Sequence, residues 1–227
     1  MLVKATKLSA NYKVFFSRPA VELLTNATRV IESLTKSLGS AYPIQSDSLR
    51  IINSTVAGDV SISIQVFNGN GKIKVTVDSI EAIFDNISSR ADVGIVTNAL
   101  DLMAAGIGPF FADVPVQTEQ LSTNIILHVE GDANQIPQYF SAVQVPGNLS
   151  DYEYRGIKLA KRVDDAVSIQ ASLEPHWSVE NSLLLYVWKI LSGPVRKSKF
   201  ESKIQEFEEI TRKTLRALDL TIVGEGN

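Results

Sequence analysis

Cysteine is absent from this 227-residue chain. Its absence excludes a disulfide framework, a thiolate nucleophile and a zinc site built on cysteine. Histidine is scarce, with only His128 and His176, so acid–base and metal chemistry have few carriers. The formal net charge is −3, which offers no global attraction to nucleic acid or to an anionic membrane. No apolar run approaches the roughly 18 residues of a membrane span. Residues 1–10 carry Lys4 and Lys7 but no apolar stretch of the kind a signal peptide needs. A cytoplasmic location is therefore expected. The familiar chemical motifs are missing too. There is no Gly-x-Ser-x-Gly elbow. Gly69-Asn-Gly and Gly106-Ile-Gly-Pro lack the lysine and hydroxyl of a phosphate loop. Four Asn-x-Ser/Thr triplets, at Asn26, Asn53, Asn86 and Asn148, have no secretory context to give them meaning.

What remains is an ordinary globular composition, 44% hydrophobic and 21% charged, in a chain long enough for a substantial core. Its plainest signal lies near the C-terminus. Phe200, Ile204, Phe207, Ile210, Thr214 and Leu218 recur at three- and four-residue steps, which predicts a long amphipathic helix over residues 197–218. Ser198 reads as its N-cap. Glu208 with Arg212 and Glu209 with Lys213 are acid-first pairs one turn apart. Upstream, Val167, Ile169, Ala171 and Leu173 alternate with polar residues, the period-two pattern of a half-buried strand. Residues 152–162 show a weaker alternation through Tyr154, Ile157 and Leu159. Residues 183–191 read as a fully buried strand, although periodicity alone leaves strand and helix open.

The first half repeats this vocabulary. Residues 2–16 read as a strand. Ser17-Arg-Pro starts a helix with Val21, Leu24, Thr28, Ile31, Leu34 and Leu38 inward and Gly39 as its left-handed stop. Three strands follow, carrying Leu49 and Ile51, then Val60, Ile62, Ile64 and Val66, then Ile73, Val75 and Val77. Asn68-Gly-Asn-Gly is the turn between the last two. A second helix starts at Ser88, turns Val93, Val96, Leu100 and Met103 inward, and ends near Gly106, leaving a connector through Val116. A strand over residues 121–130 and a short helix over 132–143 then lead to a loop at 144–148.

This order predicts an α+β protein: antiparallel sheet with helices on one face, a duplicated β-α-β-β-β-α unit and a long C-terminal helix. The halves would be residues 1–112 and 113–227, either separate or one continuous domain. Element order is the only warrant for duplication.

Candidate sites are few. His128 lies on the polar side of its strand. Glu174 and His176, two apart, could form a metal or acid–base pair, but the plainer reading is a turn histidine packed on Trp177. Asp164-Asp165 sits where turns favour aspartate. Arg155, Lys158, Lys161 and Arg162, then Arg196, Lys197, Lys199 and Lys203, form loose basic clusters that could contact phosphate, but acids interleave with them and the plainer reading is a solvated face. Phe110, Phe111, Tyr139 and Phe140 flank loops and read as core or interface. The expected function is a non-catalytic protein-interaction or self-assembling protein. The alternative is a small-molecule-binding domain, with a cavity between a curved sheet and the C-terminal helix lined by His176, Trp177, Tyr186 and Trp188. No metal or cofactor is expected, membrane partners are not, and nucleic acid is an unexpected partner on net charge.

Overall fold

The computed structural model describes residues 1–52, 60–132, 134–142, 156–193 and 199–223. Its centre is an antiparallel pair of long strands, β1 (Leu2–Phe16) and β6 (Val116–Val129). To one side of β1 the sheet continues through β5 (Ser79–Ile87), β4 (Gly71–Thr76), β3 (Ser61–Val66) and β2 (Leu49–Ile52). To the other side of β6 it continues through β9 (Ser182–Ser192), β8 (Val167–Pro175) and β7 (Ile157–Arg162). All these neighbours are antiparallel. The short β10 (Thr221–Ile222) joins the start of β1 in parallel. Four helices complete the chain: α1 (Glu22–Gly39), α2 (Arg90–Phe111), α3 (Gln135–Ala142) and α4 (Phe200–Ala217).

The α+β class, the antiparallel sheet and the long C-terminal helix agree with the sequence reading. Each half starts with a strand and a helix and closes on a long helix, with the short β10 following α4 in the second. The first half has one strand more than expected, because β5 follows β4 after a tight turn at Val77 and Asp78. Its alternation is clear in hindsight: Ile80, Ala82 and Phe84 are buried, and Ser79, Glu81 and Ile83 are not. The buried side chains form one contiguous cluster that runs across both halves.

The Asn68-Gly turn forms as the sequence implies. Phe67, Asn68 and Gly69 all have positive φ, conformations that Asn and Gly adopt at low cost. Gly71 is required for a different reason: a Cβ there would lie 2.6 Å from Val66 and 2.7 Å from Phe67. In α1 the inward stripe is Leu23, Val30, Leu34 and Leu38, whereas Val21 and Thr28 are exposed. The side chain of Leu24 is outside those described. The helix starts three residues after Pro19, so its buried face is rotated from the one expected. Gly39 is its last helical residue, and Ser40 beyond it keeps right-handed φ/ψ, so no left-handed stop is used.

Helix α2 runs past the expected end at Gly106 to Phe111, with Pro109 in its last turn. Packing overrides the Gly and Pro signals. Ile107 and Phe111 are buried, and Phe111 stacks on Phe16 at 5.3 Å. A Cβ on Gly106 would lie 3.2 Å from the Leu34 Cα and 3.3 Å from the Ser33 carbonyl, so this glycine lets α1 and α2 approach closely. By length and apolar composition α2 is also able to cross a membrane, which the charge of Asp101 concealed in the sequence. In this structure its Val96–Leu100–Met103 face is buried in the core.

The start of α2 carries a capping box. Ser89 Oγ accepts from Asp92 N at 3.2 Å, and Asp92 accepts from Ser88 N and Ser89 N, both at 2.9 Å. The backbone N–H of Ser88 and the neighbouring hydroxyls hold the Asp92 carboxyl below its usual pKa. A depressed folded pKa gives stability that is present above the unfolded value, near about 4, and lost as pH falls through the folded value. Asp92→Asn is therefore expected to lower the melting temperature at neutral pH. That difference from the natural chain should shrink as the pH is taken below about 4, which thermal melts across the acid range would show.

Other expectations resolve simply. Residues 183–191 are strand, but β9 is buried only at alternate positions. Helix α4 buries Phe200, Phe207, Thr214 and Leu215, with Ile204 and Ile210 partly covered. Arg212 pairs with Glu209 at 2.8 Å instead of Glu208, and Lys213 pairs with Glu209 at 3.5 Å. The N-cap position of α4 falls on Lys199. Asn53, Val143, the loop at 144–148, Tyr154, Arg155, Arg196, Lys197 and Ser198 lie outside the described residues.

Candidate functional site

Strand alternation sorts the sheet into two surfaces. On one, Leu183, Leu185, Val187 and Lys189 of β9 share a face with Leu121, Thr123 and Glu119 of β6 and Tyr12 and Val14 of β1. That face meets α4, as the Lys203–Glu119 and Lys189–Glu206 ion pairs show, the latter at 2.6 Å. The opposite face of the sheet is the open one, and it is the candidate site.

The registers lay out this open face in rows. One row runs from edge to edge: Arg50, Ser63, Lys74, Glu81, Lys13, Gln120, Ile190, Ser168 and Arg162. The next contains Gln65, Lys72, Ile83, Asn11, Ser122, Trp188, Gln170 and Ala160. A third contains Ser9, Asn124, Tyr186, Ser172 and Lys158. Lysine, arginine and small polar residues dominate, with half-exposed apolar groups among them. Glu81 is engaged within the face. It lies 3.5 Å from the Lys13 ammonium and accepts from Asn11 Nδ2 at 3.1 Å.

Tyr186 and Trp188 are brought together here, with rings stacked at 5.5 Å and 10° between planes. Burial, then the charge of Glu174, pushes the Tyr186 hydroxyl above the usual phenol range. Beside Tyr186 a depression of about 380 Å³ is lined by Lys7, Ser9, Asn70, Asn86, Asn124 and Ile126 among others. Asn86 donates to Asn70 Oδ1 at 2.7 Å across its rim.

The structure divides the four residues expected to line one cavity. Tyr186 and Trp188 face away from α4, because α4 covers the odd-numbered positions of β9. They therefore do not line a space between sheet and C-terminal helix. His176 and Trp177 lie at the β8–β9 turn, beyond the end of the strands. His176 Nδ1 accepts from Ser178 N at 3.2 Å and Val179 N at 3.1 Å, and its ring stacks on Trp177 at 6.5 Å. Trp177 itself is 83% exposed. His128 Nδ1 meets Ser182 Oγ at 3.3 Å. Asp164 Oδ1 accepts from Ala166 N and Val167 N at 2.8 and 2.7 Å, an Asx turn, and Asp165 binds Arg162 at 2.9 Å. Among the described residues, no group of three or more His, Asp or Glu side chains is placed to hold a metal. Of the flanking aromatics, Phe111 and Phe140 are core, and the Tyr139 hydroxyl donates to the Leu218 carbonyl.

Sequence reasoning missed the polar cluster under α4. Glu119 is 1% exposed and Lys203 8%, and they pair directly. Lys203 also lies over the rings of Phe200 and Tyr12, 5.0 and 5.7 Å from their centroids. Burial, with the Glu119 carboxylate beside it, raises the Tyr12 hydroxyl far above the ordinary phenol range. Among the described residues, Glu119 Oε2 is buried without a hydrogen-bond partner. The available signal was positional: Glu119 occupies an inward position of β6, two before Leu121, and Lys203 falls on the apolar stripe of α4 between Phe200 and Phe207.

No family model matches the chain, and no curated protein matches it. Among solved structures, the chain is similar to "Methanococcus jannaschii TBP" at 7% identity, over 96% of this chain and 99% of that one, with a TM-score of 0.30. A likeness that weak carries no argument about fold or function.

Proposed function

We propose that this chain is a non-catalytic binding protein, and that the open face of its sheet is the surface it binds with. One observation carries the reading: half-exposed Phe15, Ile83, Ile126, Leu184, Tyr186, Trp188 and Ile190 lie on a sheet face among lysine and small amides. Apolar side chains scattered in a polar, hydrogen-bonding field are what a wet binding surface needs. The residues with the best claim to catalysis fit the same reading, because His176 Nδ1 and Asp164 Oδ1 are engaged in turns. A cytoplasmic location is part of this proposal.

Amine footprinting tests it. Lys7, Lys74 and Lys158 of the open face, and Lys36 and Lys213 of the helical layer, are all exposed in the free chain. In an extract of the source cells the open-face lysines should be labelled several-fold more slowly than in purified protein, with the helical lysines unchanged. Equal labelling of both sets in both settings overturns the reading.

The depression beside Tyr186 favours a second reading, a small-molecule site on this same face. Native mass spectrometry distinguishes them. Extra mass that leaves on denaturation supports the small molecule, and its absence with footprint protection supports a macromolecule.

A further inference from the structure

We infer that the partner of the open face is a single-stranded nucleic acid, an inference that rests on the binding role proposed above. The first observation is charge. Arg50, Lys74, Lys13 and Arg162 lie in one row that crosses from β2 to β7, with Glu81 its one acid among the described residues. Lys72, Lys7 and Lys158 flank this row on the same face. The net charge of −3 conceals this, because most of the acids lie elsewhere, with Asp85 beside the depression and Glu174 beside Tyr186 as further acids of this face. Glu201, Glu206, Glu208 and Glu209 are on α4, and Asp132, Asp164, Asp165 and Asp219 are in turns. At about 4.8 Å per strand step, the row is roughly 38 Å long. That is a track for an extended polyanion, not a pocket for one phosphate.

Charge also decides against a second copy of this chain. A face-to-face pair would set the same cationic rows against one another, and like charges in register repel. The second observation separates nucleic acid from an acidic protein. Tyr186 and Trp188 form a stacked aromatic pair within the face, and unpaired bases stack on such rings. The neighbouring depression offers the side-chain amides of Asn86 and Asn124 to base edges and the Lys7 ammonium to phosphate, with Asp85 the one acid in its lining among the described residues. A duplex keeps its base faces covered and would leave the aromatic pair unused. An acidic peptide has carboxylates for the lysines but few flat rings for the stack.

The test uses the full chain and a fluorescent homothymidine strand of about 16 nucleotides, the upper end of a usual site size. Fluorescence anisotropy is read over a range of salt concentrations, with a duplex of equal length and polyglutamate as competitors. Binding should weaken with salt, with a log–log slope of about −0.7 for each phosphate neutralised. Lys72→Glu with Lys74→Glu, at exposed positions, should weaken binding at least tenfold and flatten that slope. Trp188→Ala should weaken it about 5- to 150-fold, the range for loss of one stacked base. Trp177→Phe, at the distant turn, should leave affinity unchanged. Preference for the duplex, equal displacement by polyglutamate, or unchanged affinity in both open-face variants overturns the inference. No binding of the strand, with footprint protection of the open-face lysines in extract, overturns the nucleic acid and leaves the binding role standing.

Discussion

Glu119→Ala is expected to lower the free energy of unfolding by about 3–5 kcal/mol, the cost of stranding one half of a buried ion pair. Removing the carboxylate leaves the Lys203 ammonium between β6 and α4 with, among the described residues, the rings of Tyr12 and Phe200 against it. A ring face gives a desolvated cation on the order of 2 kcal/mol, too little to replace a carboxylate. The pair is itself imperfect, since among the described residues Glu119 Oε2 has no hydrogen-bond partner within bonding geometry, and the nearby Tyr12 hydroxyl is pushed up by burial and by the same carboxylate. The double variant Glu119→Leu with Lys203→Met should therefore recover most of the loss, because an apolar pair of similar volume suits the site as well as the ions do. Urea unfolding at neutral pH measures both. A single-variant loss below about 1 kcal/mol, the level of an exposed pair, would mean that water reaches the ions. A double variant no better than the single would mean that α4 needs the charges to seat.

Leu34→Ala should cost about 2–5 kcal/mol, as for other fully buried leucines. Leu34 is wholly buried. Gly106 of α2 sits against its backbone with no side chain to move into the gap. The helices are already close, so they have little room to collapse, and a persistent cavity puts the cost high in that range. Val21→Ala is the matched control. Val21 was expected to face inward with Leu34 but is exposed, so its truncation should change stability by no more than about 0.5 kcal/mol. Comparable losses at both positions would mean that α1 is rotated from the orientation described here.

The two helix results show where periodicity is dependable and where it is not. In α4 the apolar stripe was readable because charged residues fill the other faces, so only one orientation buries it. In α1 two adjacent sets, one through Val21 and Thr28 and one through Leu23 and Val30, keep similar spacing. Which set was buried depended on where the helix started. The end of α2 was hidden for another reason. Gly106 and Pro109 are local stop signals, but the burial of Ile107 and Phe111 outweighs them. β5 was lost because its alternation follows β4 after so short a turn that the two strands read as one stretch.

The candidate site was less legible than the fold. Tyr186 and Trp188 are legible in the sequence as candidate residues, but the side of the sheet they occupy is not, since α4 covers the odd-numbered positions of β9. An apolar run such as Leu183-Leu-Leu-Tyr-Val-Trp reads as buried on both faces, and only its register with β6 and β8 shows that one face is open. The cationic rows were invisible for a related reason. Arg50, Lys74, Lys13 and Arg162 lie far apart in sequence, on four strands, and fall into one row only when the strands pair.

The sequence by itself determined the class of the protein, because alternation at two residues and recurrence at three to four are properties of local backbone geometry. It also determined the turn at Asn68-Gly, where Asn and Gly accept backbone angles that other residues resist. The tertiary structure alone decided which face of the sheet the helices cover, which charges are buried together and which are gathered in the open. Those outcomes depend on strand order and register, which are set by pairing between segments as far apart as Leu2 and Thr221, and no local pattern carries that information.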